Sequence, residues 1–145
     1  MKRILLIFAL LSLAIVLPAC GSETAEEGDT TPLTVVYGDS EATYTVEELQ
    51  VLPAETVDGY TGVTLAALLQ DAGIDPASLS SVNAVASDEF SATYGPELIM
   101  APDTLVAYGH DGGELPAEEQ PLRMVLPEQP GRMNVRMLVE LEAIQ

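Results

Sequence analysis

Three arginines carry every permanent positive charge of the chain after residue 3, and they lie within fourteen residues of one another. They are Arg123, Arg132 and Arg136, in the stretch QPLRMVLPEQPGRMNVRML (120–138). A guanidinium group donates paired hydrogen bonds to phosphates and carboxylates, so such a cluster is suited to binding an anion. The alternative is that the arginines pair with the chain's own carboxylates, which outnumber them severalfold. The residue types alone leave both roles open.

The surroundings of the three arginines differ. Arg123 lies in a run of alternating apolar residues, PLRMVLP (121–127), which is typical of a strand and favours a structural role. Arg132 and Arg136 flank MNV after a glycine, and at this spacing they would share one face if the segment were helical. Arg132 and Arg136 are therefore the candidates for contact with an anionic ligand.

Other residues that could do chemistry are few. His110 is the only histidine, which excludes a metal site with two histidines, and its place before a glycine turn predicts an exposed strand end. Asp88-Glu89 and Glu118-Glu119 are adjacent carboxylates, which point to opposite faces of a strand and are expected to be solvated. A calcium site made of carboxylate oxygens is a further alternative. The chain has no Gly-x-Ser-x-Gly elbow, no glycine-rich phosphate loop and no His-Glu-x-x-His motif.

The first twenty residues have the layout of an export signal. Lys2 and Arg3 precede an apolar run from Ile4 to Leu17 that is short for a membrane-spanning helix. The ending LPAC resembles the lipobox of bacterial lipoproteins, which implies cleavage after residue 19 and acylation of Cys20. The alternatives are a plain signal peptide with a chance cysteine, or an uncleaved anchor. We therefore expect an exported protein of the cell envelope, anchored to a membrane through lipid on Cys20.

Removing residues 1–19 leaves 23 acidic residues against three arginines, a formal charge of −20. Such a charge repels nucleic acid, so a nucleic-acid partner is excluded. Cys20 is the only cysteine, so there is no disulfide and no cysteine nucleophile. Residues 20–32, small and acidic, are expected to be a flexible tether, and residues 33–145 have the length of one domain.

Short strands and short helices alternate through 33–145 and predict an α/β (α+β) domain around a small mixed sheet. Residues 33–38 and 42–45 read as a hairpin. Thr45 and Glu48 form a capping box before one helix, and Thr64 is placed to cap the next, LAALLQDAG. Further strands are predicted at 81–87, 104–110, 121–127 and 139–144.

The order of these motifs resembles the molybdopterin-binding domain of the sulfite oxidase family of oxidoreductases. The resemblance covers about residues 33–145 and lies in GVTLAALL (62–69), LVAYGHDGGELPAEEQPLRMVLP (105–127) and NVRMLVELEAI (134–144). It implies that family's mixed α/β fold and a pterin cofactor that carries molybdenum for oxygen-atom or electron transfer. It also implies that basic residues of the C-terminal segment hold the cofactor's phosphate, and Arg132 and Arg136 lie in that segment, GRMNVRML.

The resemblance also implies a cysteine ligand to the metal, which this chain lacks. In that family the cysteine follows the first helix and precedes the segment that leads into the second. This chain has LPAETVDGYTGVTL (52–65) there. Our leading hypothesis is a non-catalytic module that binds an anionic small molecule, molybdopterin among them, or a partner protein. The second is a molybdopterin-dependent oxidoreductase, or its subunit, whose molybdenum is not held by a protein cysteine. In a third hypothesis the arginines have a structural role, and an acidic face of the domain binds a partner protein.

Overall fold

A computed structural model describes residues 31–145 of the chain. The predicted export signal (1–19), Cys20 and all but the last two residues of the predicted tether (20–32) lie outside the described residues. Among the helices of residues 31–145, none has the length and hydropathy needed to cross a membrane.

The strands divide between two sheets, and we label them in chain order. The first sheet has five strands, and all of its neighbouring strands run antiparallel except one central pair. In that parallel pair, Val35 lies opposite Leu141. Its strands, from edge to edge, are β2 (Ser40–Tyr44), β1 (Leu33–Tyr37), β10 (Leu138–Ile144), β5 (Ser81–Ala86) and β6 (Ser91–Tyr94). The predicted hairpin is β1–β2, and it is confirmed.

The second sheet is antiparallel and is centred on one long strand. In sheet order it contains β3 (Glu55–Val57), β4 (Tyr60–Thr64), β7 (Leu105–His110) and β8 (Gly113–Glu114), and β9 (Arg123–Val125) also pairs with β7. β8 pairs with the end of β7, at Gly109 and His110, whereas β9 pairs with its beginning, at residues 105–107. The α+β class is therefore confirmed, with its strands in two sheets.

Side-chain caps begin the two longer helices. At α1 (Val46–Val51), the Thr45 hydroxyl accepts from the Glu48 amide at 3.3 Å, and the Glu48 carboxylate accepts from the Thr45 amide at 2.8 Å. At α2 (Leu65–Asp71), the Thr64 hydroxyl accepts from the Ala67 amide at 3.2 Å. Both predicted caps are confirmed, because each depends only on residues three positions apart. α3 (Pro96–Ile99) is a single turn with proline at its first position.

The hydrophobic core lies between the two sheets and under the helices. β5 buries every second residue, Val82, Ala84 and Ala86, as a strand with one covered face must. α2 contributes three fully buried leucines, Leu65, Leu68 and Leu69. Each such side chain contributes roughly 2 kcal/mol when it leaves water.

The strand β6 was not predicted from the sequence. β6 consists of SATY (91–94), a short polar stretch with a single large apolar residue. Its pairing with β5 and the complete burial of Tyr94 define it. Both are tertiary effects that a local pattern of four residues does not carry.

Gly62 on β4 is required by the close approach of β7. A Cβ atom at residue 62 would overlap the backbone oxygen of Val106 and lie 2.6 Å from Cα of Ala107. We predict that Gly62→Ala lowers the free energy of unfolding by roughly 3 kcal/mol, because backbone atoms must move to admit the methyl group. Urea unfolding followed by circular dichroism measures this. Gly131→Ala is the control, since a Cβ there meets nothing within 4 Å. Equal stability of the two variants would contradict the prediction.

Candidate functional site

Arg123 extends from β9 over the face of the second sheet that points away from the main core. It lies opposite Ala107 of β7, which in turn lies opposite Gly62 of β4. Leu105, Ala107 and Val125 form a small buried apolar cluster on this face, and Tyr60 packs against it. The guanidinium carbon of Arg123 lies 4.5 Å from the centre of the Tyr60 ring. Only 14% of the Arg123 side chain is exposed, so its charge needs a partner.

The partner of Arg123 is Glu119, which ends a 3-10 turn at Ala117–Glu119. Arg123 Nη1 donates to Glu119 Oε1 and, at 2.7 Å, to the hydroxyl of Tyr60. The Tyr60 hydroxyl donates onward to Glu119 Oε2 at 3.3 Å. The three side chains thus form a closed hydrogen-bonded triangle, which we call the Arg123 cluster.

The structure corrects one expectation here. Glu118 is exposed as predicted, whereas Glu119 is buried, with 6% of the residue accessible. The prediction that both carboxylates are solvated failed for Glu119. Neighbouring side chains can point to opposite sides of the chain, and that of Glu119 meets the positive charge of Arg123 inside the fold. A buried carboxylate is tolerated where an opposite charge and hydrogen bonds meet it. Asp88 and Glu89 are exposed, as predicted.

Arg136 lies at the rim of the Arg123 cluster. Its Nε is 3.8 Å from Glu119 Oε1, and 58% of its side chain is exposed. The backbone holds it there, because the Met137 amide donates to the Glu119 carbonyl at 3.3 Å and the Leu138 amide to the Leu122 carbonyl at 2.8 Å. Residues 136–138 therefore run beside the segment that carries Glu119.

Arg132 lies apart from Arg136, on an exposed 3-10 turn at Gly131–Met133. The Tyr94 hydroxyl donates to the Met133 carbonyl at 2.7 Å, and the Asn134 side-chain oxygen accepts from the Leu126 amide at 2.8 Å. These tertiary bonds end the turn, so 132–136 does not form the helix that would place both arginines on one face. Both side chains are nevertheless exposed.

His110 extends the Arg123 cluster on its other side. It ends β7, as predicted, and its ring centre is 4.3 Å from that of Tyr60, with the rings tilted by 37°. Its Nδ1 is 3.7 Å from the carboxylate of Asp111. His110 is a half-buried neighbour of Tyr60 and has one carboxylate beside it. In residues 31–145, no group of three or more His, Cys, Asp or Glu side chains could hold a metal ion.

The electrostatic balance of the Arg123 cluster keeps Tyr60 neutral. Burial raises the pKa of the Tyr60 hydroxyl; the charge of Arg123 opposes this rise and Glu119 adds to it. A protonated hydroxyl is what the hydrogen bond to Glu119 requires. The resident negative charge of the cluster is therefore Glu119 alone.

A cavity of about 380 Å³ opens elsewhere, between α1 and the second sheet. Its lining includes Val46, Tyr108 and Leu115, with the carboxylates of Glu47 and Glu114, and contains no arginine or histidine. This cavity is apolar and acidic, and it is not suited to an anionic ligand.

The Arg123 cluster does not fit a pterin cofactor with molybdenum held by the protein. Residues 52–65 contain no cysteine. The carboxylate of Glu119 already pairs with Arg123, and it lies 3.8 Å from Nε of Arg136, one of the two arginines expected to hold the phosphate. A phosphate there would meet a fixed negative charge at hydrogen-bond range. Sequence reasoning missed Glu119, and the one local signal was a carboxylate four residues before Arg123.

Comparison with known proteins places these observations in a family. A family model described as the oxidoreductase molybdopterin binding domain matches residues 40–145. The crystal structure of the sulfane dehydrogenase SoxCD from Paracoccus pantotrophus is similar, with a TM-score of 0.66 and 21% sequence identity. The similarity covers 78% of this chain and 38% of that chain, so this chain spans well under half of its structural neighbour. No curated protein matches the chain.

The burial of the three arginines predicts a ranking of their effects on stability. Arg123→Met should lower the free energy of unfolding by about 3 kcal/mol, because it leaves Glu119 buried without its main partner. Arg136→Met should cost less than about 1 kcal/mol, since an exposed ion pair contributes little. Arg132→Met is the matched control and should be near zero. Urea unfolding of the three variants measures these changes. Equal losses of unfolding free energy in all three would refute the ranking.

Three tyrosines with a raised pKa predict a loss of stability at alkaline pH, and one of them is the fully buried Tyr94, whose pKa is raised by burial. Burial, with a 2.9 Å hydrogen bond to Asp71, raises the pKa of Tyr44 to about 12, and burial raises that of Tyr60. In the unfolded chain tyrosine ionises near pH 10, so above that pH the folded state holds more protons. The free energy of unfolding should therefore be steady below about pH 10 and fall between pH 10 and 12. Urea titrations across this range test it. Tyr44→Phe should decline less steeply, and an unchanged slope would contradict the assignment.

Proposed function

We propose that this chain, which belongs to the oxidoreductase molybdopterin-binding domain family, is an exported, lipid-anchored protein whose domain binds a ligand without catalysing a reaction. The ligand is an anionic small molecule or a partner protein, and Arg132 and Arg136 are the residues that contact it. Membrane attachment is through lipid on Cys20.

One observation carries the non-catalytic role: Glu119 neutralises Arg123 inside the fold. The most buried arginine of residues 31–145 is thereby engaged by a carboxylate of the protein itself. Arg132 and Arg136 keep their guanidinium groups in contact with solvent. Exposed guanidinium groups in an otherwise acidic domain are its means of holding an anion.

The export and the anchor are supported by the order of residues 1–20. A basic start, an apolar run and a single cysteine after Leu-Pro-Ala form the pattern that lipoprotein processing uses. An acylated Cys20 would place the domain at a membrane surface, separated from it by the acidic segment 21–32.

In a second candidate function, the domain binds the molybdopterin cofactor. The family match, and a structural neighbour named as a sulfane dehydrogenase, favour a molybdopterin-dependent oxidoreductase or a subunit of one. In this alternative the molybdenum would have ligands other than a cysteine of this chain. The ligands would then be the cofactor's dithiolene, oxygen ligands or groups of another chain.

Cofactor loading separates these two functions. The full chain is produced in a host that makes molybdopterin, and the purified protein is assayed for molybdenum by mass spectrometry and for pterin by fluorescence. We expect far less than one molybdenum per chain. A stoichiometric content of metal and pterin would refute the non-catalytic role. The Cys20→Ser variant, prepared in parallel, shows whether lipidation affects loading.

The same preparation tests the contact residues. 4-Methylumbelliferyl phosphate, an aromatic phosphate monoester, is the probe, and its binding is measured by equilibrium dialysis. Replacement of both exposed arginines, Arg132→Ala with Arg136→Ala, should weaken binding at least tenfold, as expected for loss of two charged hydrogen-bonding groups. Unchanged affinity in a folded double variant would show that these arginines do not contact the anion and have a structural role.

A further inference from the structure

We propose that the cavity of about 380 Å³ between α1 and the second sheet binds a small organic cation, namely a quaternary ammonium compound with a short apolar body. The cavity and the Arg123 cluster lie on opposite faces of this sheet. Tyr108, which lines the cavity, packs against the main core, whereas its neighbour Ala107 belongs to the apolar cluster beside Arg123. The inference goes beyond the proposed function, since it concerns a ligand of opposite charge and a cavity without arginine.

Contacts within the fold fix the walls of the cavity. On one side, Leu49 is fully buried and holds α1 against the core, and the capping box at Thr45 sets the residue at which that helix begins. On the other side, the Gln120 side-chain amide donates to the Leu115 carbonyl at 2.8 Å and ties together the segment between β8 and β9. Small-molecule sites are concave, largely pre-formed and roughly 300–1,000 Å³ in volume, and this cavity meets each condition.

Apolar side chains of the cavity select the kind of cation. Leu115 and Pro121 are buried and Val46 is half-buried. An inorganic cation or a primary ammonium would have to shed strongly bound water beside them, because these side chains offer no hydrogen-bond acceptor. A quaternary ammonium is covered by methyl groups, whose burial is favourable, and it has no N–H donor to satisfy. The ring of Tyr108 adds the aromatic surface to which such cations are attracted.

Two carboxylates give the cavity its preference for positive charge. Glu47 comes from the first turn of α1 and Glu114 from β8, and no cationic side chain lies among the residues that line the cavity with them. A cation inside the cavity is therefore attracted by both carboxylates, whereas a neutral molecule of the same shape is not. The phosphate of a lipid headgroup would be repelled by the same carboxylates, so the occupant is a free cation and not a choline headgroup.

Calorimetric titration of the full chain with choline, a small quaternary ammonium compound, tests the site. The uncharged carbon analogue dimethylbutanol, in which a carbon atom replaces the ammonium nitrogen, is the matched neutral probe. Phosphocholine carries the same cation with a phosphate attached. The titrations are made in about 0.15 M salt, which screens exposed charges more than about 8 Å apart. Choline should bind about tenfold more tightly than either of the other two, as expected for two exposed ion pairs.

Removal of the two carboxylates should abolish the selectivity for a cation. Glu47→Gln with Glu114→Gln keeps the shape of the lining and should weaken choline binding about tenfold, to the level of dimethylbutanol. Glu41→Gln with Glu142→Gln is the matched control, because it removes the same charge from β2 and β10 of the first sheet and should leave choline binding unchanged. All four residues are exposed, so both double variants should fold, and circular dichroism checks this.

Several results would overturn the site. Equal binding of choline and dimethylbutanol would show that the cavity does not recognise charge, and equal losses in the two double variants would show a general attraction of cations to an acidic protein. Phosphocholine binding as tight as that of choline would contradict the assignment of a free cation, and absence of choline binding would refute the inference outright. Molybdenum loading and anion binding by Arg132 and Arg136 are measured separately, so failure of the proposed function would leave these results unchanged.

Discussion

The buried ion pair between Arg123 and Glu119 is the interaction that joins the second sheet to the segment before β10. A guanidinium group that is this deeply enclosed must be neutralised within the fold, and Glu119 is the carboxylate that meets it. The pair fixes the turn Ala117–Glu119 against β9, and through Tyr60 it joins that turn to β4. Arg136 and the backbone of Met137 attach the last segment before β10 to the same point. Three parts of the chain, at residue 60, at residues 119–123 and at residues 136–137, thus meet around one carboxylate.

The chain has the fold of its family, and it lacks a cysteine in the segment 52–65 where the resemblance implies a metal ligand. The core of leucines, valines and alanines needs neither metal nor pterin, and it accounts for the similarity to a much larger enzyme at 21% identity. Activity in such a fold depends on a few side chains, and these can be lost without loss of the architecture. In this chain residues 52–65 contain no cysteine, and Glu119 pairs with Arg123.

Local features of the fold could be predicted from the sequence, and long-range ones could not. The Thr45–Glu48 capping box, the Thr64 cap and the β1–β2 hairpin depend on residues a few positions apart, so their patterns are complete in a short window. Arg123 was correctly assigned a structural role from the alternating strand around it. The burial of Glu119 depends on Tyr60, 59 residues away in the sequence, and no local pattern records that contact. The helical alternative for 132–136 failed for the same reason, because the Tyr94 hydroxyl donates to the Met133 carbonyl and the Asn134 side chain accepts from the Leu126 amide.

The parallel pairing of β1 with β10 has a consequence for how the domain folds. β10 lies between β1 and β5, so the first strand has only its hairpin partner β2 until residues 138–144 arrive. A two-stranded hairpin is marginal in water, and contacts between distant segments form slowly because a long loop must close first. The first sheet is therefore the late step of folding, and it is completed by the strand that also positions Arg136 beside Glu119. The first sheet, and the approach of Arg136 to Glu119, therefore cannot be complete until residues 33–37 and 138–144 have met.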